Sequence, residues 1–515
     1  MRPIVNRFNN QEYLILIAAC ISLILSFWFS ARDNIINPDG ICYLMSAQYF
    51  EVAGIKGVAQ FCPQSQWPLY SLLIFGMTQL THLSYLHAAQ LLDAFLTMTS
   101  VISFLLIVQM LGGNKRVLML AALTILFDHQ MNVLRDNVIR DHGFWASYLL
   151  SMYLLLKFYQ KPAMRIAILW SGASIIATLF RIEGAVFFIL MPLTAFFVKA
   201  ESFKIRLKYA SMLNVPLLII AFAGVIFLVT HPQYTLDHLG RVNELFNQIL
   251  NGWDLILNRY HSAKNVLAQY ILPPEGYPDA KAITILIWLN WYLYNVVLTF
   301  SLGYTLLLIY AWFSKALPFE RNSKVVIIAA VMINVMITMA FLAEHLFVSK
   351  RYLIALSLTF MIWVPFAIER LMGQWHNMKQ RLFLMICVAL IIGATASGIV
   401  DFGYPKSYLR EAGVWVSENI PKDAKVYGND KQVMYYSKHY GNNFYNLFPQ
   451  YKHLTEIRDD KWKQYDYLVI RIGSNPDEET RNILNSLKIA PIKLFKNNRG
   501  NQVVIYRIKK EGQAL

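Results

Sequence analysis

The sequence predicts an all-α polytopic transmembrane bundle of about eleven helices followed by a small α/β soluble domain, on three observations: an apolar composition, long uncharged blocks and a polar tail.

 Of 515 residues, 56% are hydrophobic and 15% charged, and the mean hydropathy is positive. Soluble domains run at about 45–50% apolar and about 25% charged. The excess sits in blocks: residues 13–30, 117–134, 213–230, 282–313, 325–343, 352–368 and 382–400 each run seventeen or more positions with few or no charges. At about 1.5 Å rise per residue such a block crosses a hydrocarbon core of about 30 Å. It must do so as a helix, because lipid offers the backbone no partner. After residue 401 the composition turns mixed and polar.

Four further apolar stretches, 85–111, 143–158, 164–180 and 185–198, bring the expected spans to eleven. Alternate connections then carry Arg2 and Arg7; Lys115 and Arg116; Lys157, Lys161 and Arg165; Lys199, Lys204, Arg206 and Lys208; Lys315, Arg321 and Lys324; and Arg370, Lys379 and Arg381. The positive-inside rule makes that side cytoplasmic, with the N-terminus inside and the tail outside. Much of the net charge of +16 thus flanks the spans, and nucleic-acid binding is the weaker reading. The first apolar segment has no small-residue cleavage pattern after Ser30 and is expected to stay as an anchor.

Three external segments follow from this topology. In 31–67, Ile41, Leu44, Met45, Tyr49 and Val52 recur at helical spacing behind Asn37-Pro38-Asp39-Gly40, which predicts a helix over 40–52 lying on the membrane surface, polar face to solvent. Segment 231–281 mixes a helix over 236–257 with a proline-rich break at 273–278, and 344–351 is short. Cys20 and Cys387 fall in spans as small core residues. Cys42 and Cys62 share the first external loop, where an oxidising compartment permits a disulfide. In the tail the pattern predicts helices at 408–419, 431–438 and 478–487 and strands at 425–427, 467–471, 493–495 and 502–508. It contains no phosphate-binding glycine motif.

Charges at the ends of spans are costly and therefore candidates for function. They are Asp39; the run Arg135-Asp136-Asn137-Val138-Ile139-Arg140-Asp141-His142; and Arg181 and Glu183 together with Lys350 and Arg351. The topology places all of them in one compartment, carboxylates beside cations, as suits departure of an anionic leaving group.

These stretches resemble the GT-C superfamily of membrane glycosyltransferases. Asn37-Pro38-Asp39-Gly40-Ile41-Cys42-Tyr43 is similar to its first-loop motif, whose Asp opens a juxtamembrane helix. Trp67-Pro68-Leu69-Tyr70 is similar to its Pro-Pro-Leu-Tyr-like segment with one proline missing. Arg140-Asp141-His142-Gly143-Phe144 resembles its second acidic motif, Phe180-Arg181-Ile182-Glu183-Gly184 its Arg-x-Glu-Gly junction, and Ser349-Lys350-Arg351-Tyr352-Leu353 its late Arg-Tyr-Leu motif. The tail resembles the small domain of many bacterial members. The nearest groups are the protein O-mannosyltransferases, the aminoarabinose transferases and the lipopolysaccharide-core transferases.

The resemblance implies a polyprenyl-phosphate sugar donor, a lipid, saccharide or protein acceptor, inversion at the anomeric carbon, and an active site on the periplasmic face of a bacterial inner membrane. It divides the chain into a transferase domain, 1–401, and a periplasmic domain, 402–515. Asp39 becomes the general base, Asp141 orients the acceptor or assists, and Arg135, Arg140, Arg181, Arg351 and Lys350 are the donor-phosphate ligands. Tyr43, Asp136 and Glu183 support them. The first loop has no Asp-x-Asp pair, so no metal ligand is assigned, although some members use a divalent metal.

Plainer roles stand beside these. Asp39 also suits a helix N-cap, Arg181 and Glu183 a local ion pair, Lys350 and Arg351 cations reaching to the interface, Asp136 a structural polar group. His142 and His345 read as hydrogen-bonded histidines, and Trp288, Trp291, Tyr292 and Tyr294 as an interfacial belt. A flippase or transporter of lipid-linked saccharide would show polar or broken helices in mid-membrane. A non-enzymatic assembly factor would not need Asp39.

Overall fold

The computed structural model describes residues 10–32, 35–200, 202–231, 241–314, 320–400, 402–439, 454–458 and 460–508. The expectations at Arg2, Arg7, Lys315 and 236–240 lie outside the described residues. In chain order the helices are α1 (Asn10–Ser30), α2 (Pro38–Phe61), α3 (Leu69–Thr81), α4 (Tyr85–Met110), α5 (Lys115–Leu126), α6 (His129–Val133), α7 (Asp141–Gln160), α8 (Met164–Phe180), α9 (Glu183–Leu190) and α10 (Phe203–Thr230). There follow α11 (Arg241–Tyr270), α12 (Ala280–Phe300), α13 (Leu302–Phe313), α14 (Arg321–His345), α15 (Lys350–Met361), α16 (Val364–Gly373) and α17 (Met378–Ile399). The tail adds α18 (Ser407–Asn419), α19 (Lys431–Ser437) and α20 (Glu478–Leu487), with strands β1 (Val426–Gly428), β2 (Tyr467–Ile472), β3 (Pro491–Lys496) and β4 (Gln502–Arg507). Two compact units result: Met1–Phe27, Asp93–Arg135 and Arg140–Asp401 form one, and Trp28–Leu92, Asp136–Ile139 and Phe402–Leu515 the other.

Among the described residues, six helices are long and apolar enough to cross a membrane, and α15 with α16 makes a seventh if that pair, bent by 41°, is one span. Leu218, Ile219, Phe222 and Val225 on α10 are well exposed. Such a surface is an aggregation patch in water and an ordinary lipid-facing wall in a bilayer.

Four of the eleven expected spans are interrupted, which corrects the picture of unbroken helices. Stretch 117–134 ends as α5 at Leu126, and Asp128 starts α6 by accepting a hydrogen bond from the Met131 amide at 2.7 Å. Stretch 185–198 changes from α9 to a 3₁₀ turn at Met191-Pro192, where proline has no N–H to give. Stretch 282–313 breaks at Ser301, whose φ is 67°. Stretch 352–368 bends before α16, which carries a proline in its first turn. Hydropathy registers the apolar content of a segment and is blind to these local backbone events.

In the first unit α7 and α8 pack closely. A Cβ added at Gly143 would overlap the Phe180 ring, so the glycine sets their approach.

In the second unit α2 differs from the expected surface helix. Ile41 through Ala47 are all buried, so this half is enclosed on every side. Burial is tolerated because its polar residues are small and satisfied: Cys42 is disulfide-bonded to Cys62, and Ser46 hydrogen-bonds the Cys62 sulfur at 3.6 Å. The helix kinks at Gly54, φ 61°, a left-handed conformation that favours glycine.

The tail sheet has the order β1-β2-β4-β3, with β1 parallel to β2 and the other pairs antiparallel. Alternation puts Leu468, Ile470, Ile472, Val504 and Tyr506 in one core with Ile483 and Leu487 of α20. Val469, Val503 and Ile505 join Leu409, Val416 and Val433 of α18 and α19 in the other. Helices therefore cover both faces. Asp430 caps α19, accepting from the Gln432 and Val433 amides at 2.9 and 3.0 Å, and its other oxygen accepts from Arg471 at 2.6 Å. Burial opposes the charge on Arg471, but the bond to Asp430 outweighs it and holds the guanidinium above its ordinary range.

Gly143→Ala is expected to lower the thermal midpoint in detergent, at a cost of about 1–3 kcal/mol for overpacking. Gly172→Ala on α8, where an added Cβ meets nothing within 4 Å, serves as control and leaves it unchanged or slightly raised.

Candidate functional site

The first unit gathers its charges where α7, α8 and α9 meet. Arg181, between α8 and α9 and 6% exposed, donates through Nη1 to Asp141, the first residue of α7. Through Nη2 and Nε it donates to Glu183, the Nε contact being 3.2 Å. Its guanidinium lies 4.5 Å from the centre of the Tyr352 ring, and that of Arg351 lies 5.3 Å from the same ring. Arg140 and Arg351 both act electrostatically on Asp141, and Arg140 acts also on Glu183. Three guanidinium groups thus face two carboxylates, leaving one positive charge in excess. Arg140 is buried, and its Nη1 makes no hydrogen bond among the described residues. The acceptor oxygens of an anion are of the kind that would satisfy such a donor. Lys350, half-buried at the start of α15, acts on His129.

Arg135 is placed differently from the others. It is buried, and donates to Asn132 Oδ1 at 2.9 Å, to the Ser22 carbonyl at 3.1 Å and to Ser26 Oγ at 3.0 Å. It ties the segment after α6 to α1. His142 donates from Nε2 to the Leu134 carbonyl at 3.1 Å and contacts Thr97 Oγ1 through Nδ1 at 3.3 Å, as a structural histidine does. Among the described residues, no group of three or more His, Cys, Asp or Glu is placed to hold a metal ion. Of the expected interfacial aromatics, Trp291 and Tyr294 stack on the exposed side, whereas Tyr292 points inward and bonds Thr338 at 2.7 Å. The same unit holds an apolar cavity of about 420 Å³ lined by Leu120, Phe127, Tyr304, Ile368, Ile391 and Thr395 among others.

The second unit carries Asp39. It is half-buried in the first turn of α2, and Asn37 is the N-cap residue. Gln64 donates to Asp39 Oδ1 at 3.4 Å. The Asn37 side chain grips Val138, accepting from its amide at 3.0 Å and donating to its carbonyl at 3.3 Å. Gly40 is required beside this clamp: a Cβ there would stand 2.7 Å from Asn37 Oδ1 and 3.0 Å from Val138 Cβ. Tyr43 is buried edge-on to Tyr70, ring centres 5.0 Å apart. Asp136 is half-buried and engaged. Sequence reasoning missed Gln64 and the Asn37–Val138 clamp, since neither a lone glutamine nor a backbone partner a hundred residues away leaves a local signal.

A bundle of membrane-crossing helices with a buried charged cluster, joined in one chain to a small α/β fold, defines a polytopic membrane protein. Solved structures share this fold. The chain is similar to the Archaeoglobus fulgidus oligosaccharyltransferase solved with Zn and sulfate, with a TM-score of 0.56 at 14% identity over 89% of this chain and 68% of that one. It is similar to ArnT from Cupriavidus metallidurans bound to undecaprenyl phosphate, with a TM-score of 0.51 at 12% identity over 96% of this chain and 98% of that one. It is also similar to the mycobacterial arabinofuranosyltransferase AftD, with a TM-score of 0.51 at 10% identity over 98% of this chain but 40% of that one. The chain has the GT-C fold. No family model and no curated protein matches its sequence.

Asp141→Asn leaves Arg181 buried with a neutral neighbour and is expected to cost about 3–5 kcal/mol. Glu183→Gln is expected to cost less, because the Glu183 side chain is 22% exposed against 3% for Asp141. Thermal unfolding of both variants in detergent checks the order.

Proposed function

We propose that the protein is a membrane glycosyltransferase. It moves a sugar from a polyprenyl-phosphate donor to an acceptor hydroxyl on the periplasmic face of the inner membrane, with inversion. The observation that carries this reading is the buried cluster around Arg181, with its excess positive charge and the open Nη1 of Arg140. Arg140, Arg181 and Arg351 receive the departing phosphate, with Lys350 adding charge. Their fixed donors stabilise the charge that develops as the bond from the anomeric carbon to the phosphate oxygen breaks. Asp39 takes the acceptor proton as the hydroxyl oxygen forms the new bond to that carbon. Asp141 and Glu183 hold Arg181 in place, while Arg135 is a positioning residue that donates to Asn132 through Nε and to Ser22 and Ser26 of α1 through Nη1. Tyr43 and Asp136 support the Asp39 loop. The apolar cavity near α5 and α17 suits a hydrocarbon tail. ArnT, which shares the fold, was solved with undecaprenyl phosphate, and this supports a lipid-phosphate donor.

A second reading, a flippase of lipid-linked saccharide, draws support from the interrupted helices at Ser301 and between α15 and α16. Mass spectrometry of envelope lipids and glycans from cells with the intact gene, without it, and with Asp39→Asn separates the two. The transferase reading expects the gene-dependent product to fall by about 100-fold or more in Asp39→Asn while the protein stays folded and inserted. A flippase retains it. Arg140→Gln is expected to weaken binding of undecaprenyl phosphate by about 10-fold, the loss of one charge-assisted bond.

A further inference from the structure

The backbone just before Asp39 is held by the tail. Ile36, three residues ahead, is buried. Its amide donates to the Tyr436 hydroxyl at 3.1 Å, and its carbonyl accepts from Gln432 Nε2 at 2.8 Å. Both polar groups of one residue are thus satisfied by two side chains one turn apart on α19. Gln432 is buried, so its amide has no water to turn to, and breaking the bond leaves a buried donor and a buried acceptor unpaired.

The grip is itself anchored. Asp430 caps α19 and is fixed by Arg471 on β2. Asn429 binds the Arg471 backbone from both sides, accepting from its amide at 2.6 Å and donating to its carbonyl at 3.0 Å. Beyond Ile36, Asn37 is locked to Val138, and Pro38 has a fixed φ. From the tail sheet to Asp39, no link is a free rotor of the main chain.

We infer that Gln432 and Tyr436 are positioning residues for Asp39, so that the tail domain sets the placement of the proposed base. The inference rests on the proposed transfer reaction. A general base works within about 2.6–3.2 Å of its proton donor, and a displacement of about 1 Å costs on the order of 100-fold. Loosening the Ile36 anchor is therefore expected to slow transfer without weakening the hold on donor phosphate.

The test uses the full chain in lipid nanodiscs and in cells, as wild type, Tyr436→Phe, Gln432→Leu, the pair together, and Asp39→Asn. Three quantities are read: the gene-dependent envelope product by mass spectrometry, binding of undecaprenyl phosphate, and amide hydrogen exchange across 35–41. The pair is expected to lose about 10-fold or more of product, a fraction of the loss expected for a 1 Å displacement, to bind undecaprenyl phosphate within twofold of wild type, and to exchange the Ile36 amide faster. Should Gln432→Leu fail to fold, Tyr436→Phe, which keeps the ring, decides alone. Product at the wild-type level in the variants overturns the inference, as does a loss of lipid-phosphate binding in step with product, which marks general destabilisation. If Asp39→Asn abolishes product while the pair behaves as wild type, the reaction stands and only the positioning role falls. If Asp39→Asn also behaves as wild type, the reaction itself falls, and the inference with it.

Discussion

The Arg181 guanidinium, enclosed where three helices meet, is the constraint on which the membrane unit depends. A charge in such a place survives only with partners, and Asp141 and Glu183 supply them from α7 and α9. Their positions follow from packing: Gly143 admits the Phe180 ring, which brings the first turn of α7 against the last turn of α8. Two carboxylates do not neutralise the three guanidinium groups, and the residual positive charge makes the cluster receptive to an anion as well as stable. The ionic network is thus a fold element, and in the proposed reaction it is also the seat of the departing phosphate.

The second unit solves a different problem, that of presenting a half-buried acid in the first turn of a helix. Asn37, Gly40 and the tail helix α19 immobilise the main chain around Asp39, and Gln64 approaches its carboxylate. A rigid small domain makes a better foundation for such a loop than a lone surface helix, because each hydrogen bond to it is backed by a packed sheet.

Much of this was legible in the sequence. The tail elements lie within one or two residues of their predicted bounds, because amphipathic alternation and caps act locally. The charged motifs also singled out Asp141, Arg181 and Arg351, which the structure brings together, and Asp39, whose part in transfer is a proposal. The helix interruptions at Asp128, Pro192 and Ser301 were not legible from apolar content. Arg135 was grouped with the other cations by its neighbours in the chain, whereas its partners, Ser22 and Ser26, are ordinary serines over a hundred positions away. Gln432 and Tyr436 carried no signal, since what distinguishes them is the backbone they reach.

The Cys42–Cys62 bond closes a covalent ring of the first loop, with Gln64 just beyond its second cysteine and Asp39 just ahead of its first. Maturation of this protein then has a step that membrane insertion does not provide, the oxidation of two thiols by an outside electron acceptor. A host that does not oxidise the compartment into which this loop emerges would produce an inserted chain whose first loop is unfinished.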